Sequence, residues 1–166
     1  MQAAMDITLV RVDNRLVHGQ ILEAWVPFLR ASCIVVVDDR VASDYYCETV
    51  IRMAVPREVE VVISGTREFA ETHTFHQGSG QKTIVLFSKI SDALAVYRFG
   101  YRFDKLNIGN VYNENCQLCC TPSVLLSDAD LRDISTLHEE GVKIELRRVP
   151  REKPADFDDI IRCVES

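Results

Sequence analysis

Between residues 11 and 20 the chain reads Arg-Val-Asp-Asn-Arg-Leu-Val-His-Gly-Gln. A carboxylate, an imidazole and two guanidinium groups therefore fall within one short stretch. His18 can attack phosphorus through a ring nitrogen. Arg15 offers a planar fork that matches phosphate oxygens. Asp13 can orient the imidazole or hold Arg15. Gly19 lets a backbone come close to a ligand. An apolar helical pattern begins at Gly19. The unpaired N–H groups of a helix start carry partial positive charge and favour an anion. That positive environment disfavours imidazolium and keeps a ring nitrogen free. A histidine between a strand and a helix also occurs as an ordinary loop residue or cap, so residue types alone leave both readings open.

The stretch needs a frame. Residues 7–12 read as a strand, and residues 19–31 as a helix with Ile21, Leu22, Trp25, Val26 and Leu29 on one face. Pro27 should bend or shorten that helix. The run 33–37 is apolar throughout, as in a strand covered on both faces. Further strands are expected at 58–63, 83–87, 105–108 and 142–149, with a short one at 124–126. Helices are expected at 43–55, 67–75, 91–100, 128–140 and 157–164. Ser91 and Ser127 are the expected caps of two of them, and Gly141 the left-handed stop of one. Residues 76–81 and 110–122 read as loops. The β-α alternation repeats about five times and implies an α/β fold, a single open, mostly parallel twisted sheet of about six to seven strands with helices on both faces. No linker divides residues 1–166, so one domain is expected. In such a sheet a ligand binds beyond the carboxyl ends of the strands, where His18 lies.

Composition narrows the function. The net charge of −6 argues against nucleic-acid binding, which needs a basic face. Arg11, Arg15, Arg147, Arg148 and Arg151 remain available for a local anion patch. No apolar run reaches the ~20 residues that span a bilayer. The first residues lack the pattern of a signal peptide. A cytoplasmic protein with no direct membrane insertion is expected. Six cysteines stand at 33, 47, 116, 119, 120 and 163. Neither size nor context suggests a disulfide framework, and Cys33 and Cys47 read as core residues.

Other motifs carry weaker chemistry. Gly78 to Thr83 resembles a phosphate-binding loop, but it lacks the spacing and precedes a strand. Cys116-x-x-Cys119 with Cys120, or His73 with His76, could contribute to a zinc site or a redox pair. A loop with free thiols is the simpler account of the cysteines. Asp38 and Asp39 could form an acid–base or Mg²⁺ pair, although a strand end with a helix-capping acid is the simpler account. His138, beside Glu139 and Glu140, reads as a solvated helix face. No metal and no cofactor is expected.

The run RVDNRLVHGQILEAW (11–25) resembles the signature around the phosphorylated histidine in IIB components of the mannose/fructose/sorbose phosphotransferase family. The fixed positions are met at Arg11, Asp13, Arg15, Leu16, His18, Gly19, Gln20 and Trp25. The likeness continues through IVVVDDRVASD (34–44), MAVPREVEVVI (53–63), LNIGN (106–110) and LHEEGVKIELRRVPREKP (137–154). It implies a phosphocarrier subunit. A IIA subunit or domain would donate the phosphoryl group to Nδ1 of His18. Delivery to a hexose or amino sugar, imported by membrane IIC and IID subunits, would follow. The resemblance places Arg15, Asp13 and the backbone around Asn14, Leu16, Val17, Gly19 and Gln20 in the phosphate pocket. This chain departs from the family pattern at Gly109-Asn110, where two glycines are usual. It departs again in the Asn- and Cys-rich segment 111–122, where Gly, Lys and Arg are common. Altered partner contacts follow from those departures. One alternative is a regulatory phosphoprotein whose His18 state is read without sugar transfer. Another is an unrelated α/β binding module.

Overall fold

The computed structural model describes residues 5–73, 80–114 and 118–166, apart from the side chains of His73 and Cys119. Seven strands form one sheet in the order β3-β2-β4-β1-β5-β8-β9. They are β1 (Met5–Asp13), β2 (Cys33–Val37), β3 (Glu60–Ser64), β4 (Gln81–Phe87), β5 (Lys105–Asn110), β8 (Lys143–Leu146) and β9 (Ala155–Asp156). All neighbours run parallel except β8 and β9. The expected α/β class and open parallel sheet are what forms.

β1 is central because it is paired on both sides, with β4 and β5. Its alternating side chains feed two apolar layers. Val10 and Val12 join Val35, Val85, Phe87, Leu106 and Ile108 beneath the helices α4 (Thr66–His73), α5 (Ile90–Arg98), α6 (Asp128–Glu139) and α7 (Phe157–Glu165). Leu9, Ile34, Val36, Ile84 and Leu86 lie on the other face with Leu16, Ile21 and Trp25. That second face carries a π-helical segment (Gln20–Trp25), α1 (Val26–Leu29), α2 (Asp39–Ala42) and α3 (Tyr45–Ala54). β2 is buried along its whole length, as its unbroken apolar run requires.

Several local expectations change. The helix after β1 is π-helical up to Trp25 and becomes α-helical only at Val26. Pro27 sits at the start of that α-helical part and has no N–H for the ladder behind it. The expected helix at 43–55 forms as α3, and a further short helix, α2, precedes it. Asp38 accepts from the Val41 N–H at 2.9 Å and starts α2, and Asp44 accepts from Tyr46 and Cys47 and starts α3. Ser91 is no cap, because α5 already begins at Ile90 with Lys89 before it. Ser127 does cap α6, in a reciprocal pair with Asp130, and Gly141 takes a φ of 96° just beyond. The 110–122 loop contains β6 (Leu118–Thr121), which pairs antiparallel with β7 (Val124–Leu126) outside the main sheet. The last expected strand stops at Leu146, and the chain returns as β9.

Candidate active site

β1 ends at Asp13 in the middle of the sheet's carboxyl edge. A tight turn follows, in which the Leu16 N–H donates to the Asp13 carbonyl at 2.9 Å. Leu16 adopts a left-handed φ of 54°. For a branched side chain that conformation costs about 1–2 kcal/mol. The side chain is buried with Ile21 and Trp25, which offsets the strain. The turn delivers His18 just ahead of the π-helical segment, and the His18 carbonyl accepts from Ile21 and Leu22.

His18 Nε2 lies 2.8 Å from Asp13 Oδ2. A carboxylate oxygen only accepts, so the ring nitrogen facing it carries the proton. In the neutral ring Nδ1 is then the nitrogen with a free lone pair. Burial pushes the Asp13 carboxyl upward. The hydrogen bond from His18, the charge of Arg11 and the Asn110 amide outweigh it and hold the carboxyl below its usual range. Asp13 thus stays ionised beside the imidazole. The nearest charge to the ring is this carboxylate, where a positive helix start had been expected to dominate.

Arg11 is fully buried and is no part of an anion patch. Its Nε and Nη2 donate to Asp13 Oδ2 at 3.2 and 2.9 Å, and its Nη1 donates to Asn107 Oδ1 at 2.7 Å and to the Arg147 carbonyl at 2.9 Å. It belongs to a polar row across the sheet, since Arg11 pairs with Asn107 in register and Asn107 with Glu145. Asn107 donates to Glu145 at 3.2 Å, and Lys105 and Arg147 flank that carboxylate at 3.0 and 3.6 Å. Trp25 covers the row. Arg11 and Arg147 stand 5.6 and 5.7 Å from its ring, and its Nε1–H donates to the Arg148 carbonyl at 2.8 Å.

Arg147 and Arg148 are also engaged. The Arg147 guanidinium reaches the carbonyls of Glu152 and Pro150, and Arg148 pairs with Glu152. Arg15 is different: it is exposed, and its guanidinium has no protein partner among the described residues. Asp13 takes the Arg15 backbone N–H at 3.0 Å rather than its fork. The Asn14 N–H goes to the Asn110 carbonyl at 2.9 Å. The N–H groups of Asn14, Arg15 and Leu16 are therefore satisfied within the protein and do not point to a ligand. Those of Val17, His18, Gly19 and Gln20 have no protein acceptor among the described residues.

Sequence reasoning brought Asp13, Arg15 and His18 to one place. It passed over Asn107, Asn110 and Glu145 as site supports and gave Arg11 the wrong role. A polar residue inside an otherwise apolar strand was the available signal, because a sheet covered on both faces must pair every such group.

The remaining motifs separate from the site. Asp38 and Asp39 are both caps: Asp38 also accepts from Ser88, and Asp39 Oδ1 accepts from the Thr66 N–H at 2.7 Å. Lys82 stands in β4 at the amino end of the sheet, opposite Asp6, while Gly78 and Ser79 of the phosphate-loop reading lie outside the described residues. His138 stacks on Phe157 with ring centres 3.8 Å apart. His76 and Cys116 lie outside the described residues. Among the described residues no group of three or more His, Cys, Asp or Glu side chains is arranged to hold a metal ion. No helix among them is long and apolar enough to cross a membrane.

Comparison with known proteins supplies the family. The family described as the sorbose-subfamily IIB component of the phosphotransferase system matches residues 7–166. The fructose-specific EIIB component of Bacillus subtilis is 32% identical over 96% of this chain and 98% of that protein. The mannose-specific EIIAB component of Escherichia coli is 24% identical over 97% of this chain, which spans 50% of that longer protein. The crystal structure of the IIB domain of the Klebsiella pneumoniae sorbose permease has 29% identity and a TM-score of 0.85 over 95% of this chain and 97% of that one. With residues 7–166 matched and the same sheet in place, this chain belongs to the sorbose-subfamily IIB components of the sugar phosphotransferase system.

Proposed function

We propose that this chain is a phosphocarrier that holds a phosphoryl group on Nδ1 of His18, between a IIA donor and an imported sugar. The observation that carries the reading is the Nε2–Asp13 contact at 2.8 Å, which commits one ring nitrogen and leaves the other nucleophilic.

The transfer balances simply. The Nδ1 lone pair forms a bond to phosphorus as the bond from phosphorus to the donor's histidine nitrogen breaks. That bonding pair stays with the donor. The ring becomes cationic as it bonds phosphorus, and the Asp13 carboxylate lies against the N–H that bears the charge. On delivery a sugar hydroxyl oxygen attacks phosphorus as its proton passes to water or to a base beside the sugar. The N–P pair returns to Nδ1 and the neutral ring is restored. Such a transfer needs positioning and charge stabilisation more than covalent help. The unpartnered Arg15 fork and the N–H groups of Val17, His18, Gly19 and Gln20 would supply both to the phosphoryl oxygens. No metal or cofactor enters.

The relatives support the partners. A mannose-specific relative is an EIIAB protein, which fits a IIA donor. Others are specific for fructose, sorbose and N-acetylgalactosamine, so a hexose or amino sugar is the acceptor class. Membrane IIC and IID subunits would present that sugar to a cytoplasmic IIB domain comprising the whole chain.

The test is intact-mass analysis and site mapping after incubation with phosphoenolpyruvate, enzyme I, HPr and a matching IIA. One acid-labile phosphate on His18, absent in His18→Ala, is the expected result. No label in the presence of phosphorylated IIA would overturn the reading. Label on His18 without onward transfer to any sugar would favour the regulatory alternative.

A further inference from the structure

β5 carries one more residue than β1 near the site. Val12 faces Ile108, but Asp13 faces Asn110, so Gly109 is bulged out between the two pairs. A bulge re-aims the side chain that follows it. Here the Asn110 amide turns into the active loop. Its Nδ2 donates to Asp13 Oδ2 at 2.8 Å and to Gln20 Oε1 at 2.9 Å, and its backbone carbonyl accepts from Asn14. One residue of β5 thus touches the start of the loop, the carboxylate behind His18 and the first residue of the π-helical segment.

Both side-chain contacts have chemical consequences. Asp13 Oδ2 accepts from Arg11 Nε and Nη2, His18 Nε2 and Asn110 Nδ2 together. Donors sharing one oxygen hold it in place and draw on the same charge. The titratable groups that bear on Asp13 are Arg11 and His18, and Glu145 of β8 and Glu152 of the following turn act on Arg11. Gln20 is fixed differently. With Oε1 taken by Asn110 and, at 3.4 Å, by Arg11, its amide can point only one way. The Gln20 N–H₂ end has no acceptor among the described residues.

We propose that Asn110 is a positioning residue for phosphoryl transfer: it holds Asp13 against the His18 N–H and turns the Gln20 amide so that its N–H donors are left for the phosphoryl oxygens. The transfer half of this rests on the His18 phosphocarrier reading above. The backbone contact to Asn14 survives any substitution at 110, so side-chain variants isolate the role.

Asn110→Ala, Gln20→Ala and the double variant are compared by the rate of phosphoryl acceptance from IIA and by nitrogen-15 NMR of the His18 ring. Asn110→Ala should slow acceptance about tenfold. The ring signals should move from a single Nε2–H tautomer toward a mixture. Adding Gln20→Ala should then cost less than it does alone, since the two act through one contact. A wild-type ring spectrum together with a wild-type rate in Asn110→Ala would overturn the proposal. So would a slower rate that is fully additive with Gln20→Ala and accompanied by an unchanged ring spectrum. The ring spectrum needs no phosphoryl donor. A chain that never accepts phosphate therefore fails the function reading, while the hold of Asn110 on Asp13 is still judged by that spectrum.

Discussion

The guanidinium of Arg11 occupies the space where a Cβ on Gly109 would stand. The absence of a side chain on β5 and the burial of an arginine on β1 are therefore one feature. Gly109→Ala must push the guanidinium aside, and with it the Asp13 and Asn107 contacts. Overpacking of this kind costs about 1–3 kcal/mol, so the urea midpoint should fall accordingly. Phosphoryl acceptance should fall as well, because Asp13 loses its anchor. Wild-type stability in this variant would mean that Arg11 can relocate freely.

Asp13 also makes stability depend on pH in a known direction. Its folded-state carboxyl titrates below the ordinary value of 3.8, with the partners' pull exceeding the effect of burial. A depressed carboxyl contributes stability that is fully present above the unfolded value and is lost as pH falls through the folded one. Asp13→Asn leaves the buried Arg11 charge without its counter-ion, a loss of about 3–5 kcal/mol at neutral pH. The stability gap between the two chains should hold from neutral pH down to about the unfolded value and narrow below it. Urea unfolding across that range measures the gap, and a gap that ignores pH would show that the carboxylate charge is not what counts.

Arg15 predicts the opposite pattern. Its side chain is exposed and unpartnered among the described residues, so Arg15→Lys should leave stability within about 0.5 kcal/mol of wild type. A point charge cannot reproduce the two parallel bonds of the fork to a phosphoryl group. Acceptance from IIA should therefore slow by about tenfold or more. Rapid-quench kinetics with phosphorylated IIA would measure it. Near-normal rates would reduce Arg15 to a generic cation.

Local rules explain which parts of this molecule are legible in its sequence. β2 was legible because Ile34 to Val37 are apolar without interruption, as a strand covered on both faces requires. Ser127 and Gly141 read correctly because capping and left-handed stops act over a few residues. The His18 loop was visible because its chemistry is contiguous in the chain. Asn110, Asn107 and Glu145 were not, because their roles depend on register across three strands and on a bulge at Gly109. Arg11 looked like an anion ligand since its type fits one. Only the partners behind it, 96 and 136 residues away in sequence, reveal it as part of the core. The split into π- and α-helix around Pro27 was half legible, as a disturbance of unknown form.

Trp25 ties the active helix to the turn after β8. Its Nε1–H donates to the Arg148 carbonyl, and the guanidinium groups of Arg11 and Arg147 stand 5.6 and 5.7 Å from its ring. Trp25→Phe keeps an aromatic ring but removes the donor and part of the buried indole. The loss should be about 1–3 kcal/mol, one hydrogen bond plus the lost packing. Trp25→Ala removes the face as well and should cost about 3–5 kcal/mol. The Arg147 carbonyl accepts from both Arg11 and Asn107, so loosening this turn reaches the polar row beneath Asp13. Acceptance of phosphate should thus slow slightly in Trp25→Phe and severely in Trp25→Ala. Denaturant unfolding and acceptance rates on the same samples test the link. If Trp25→Ala lost the stability but kept the rate, the strap would serve the fold alone and His18 would be positioned without it.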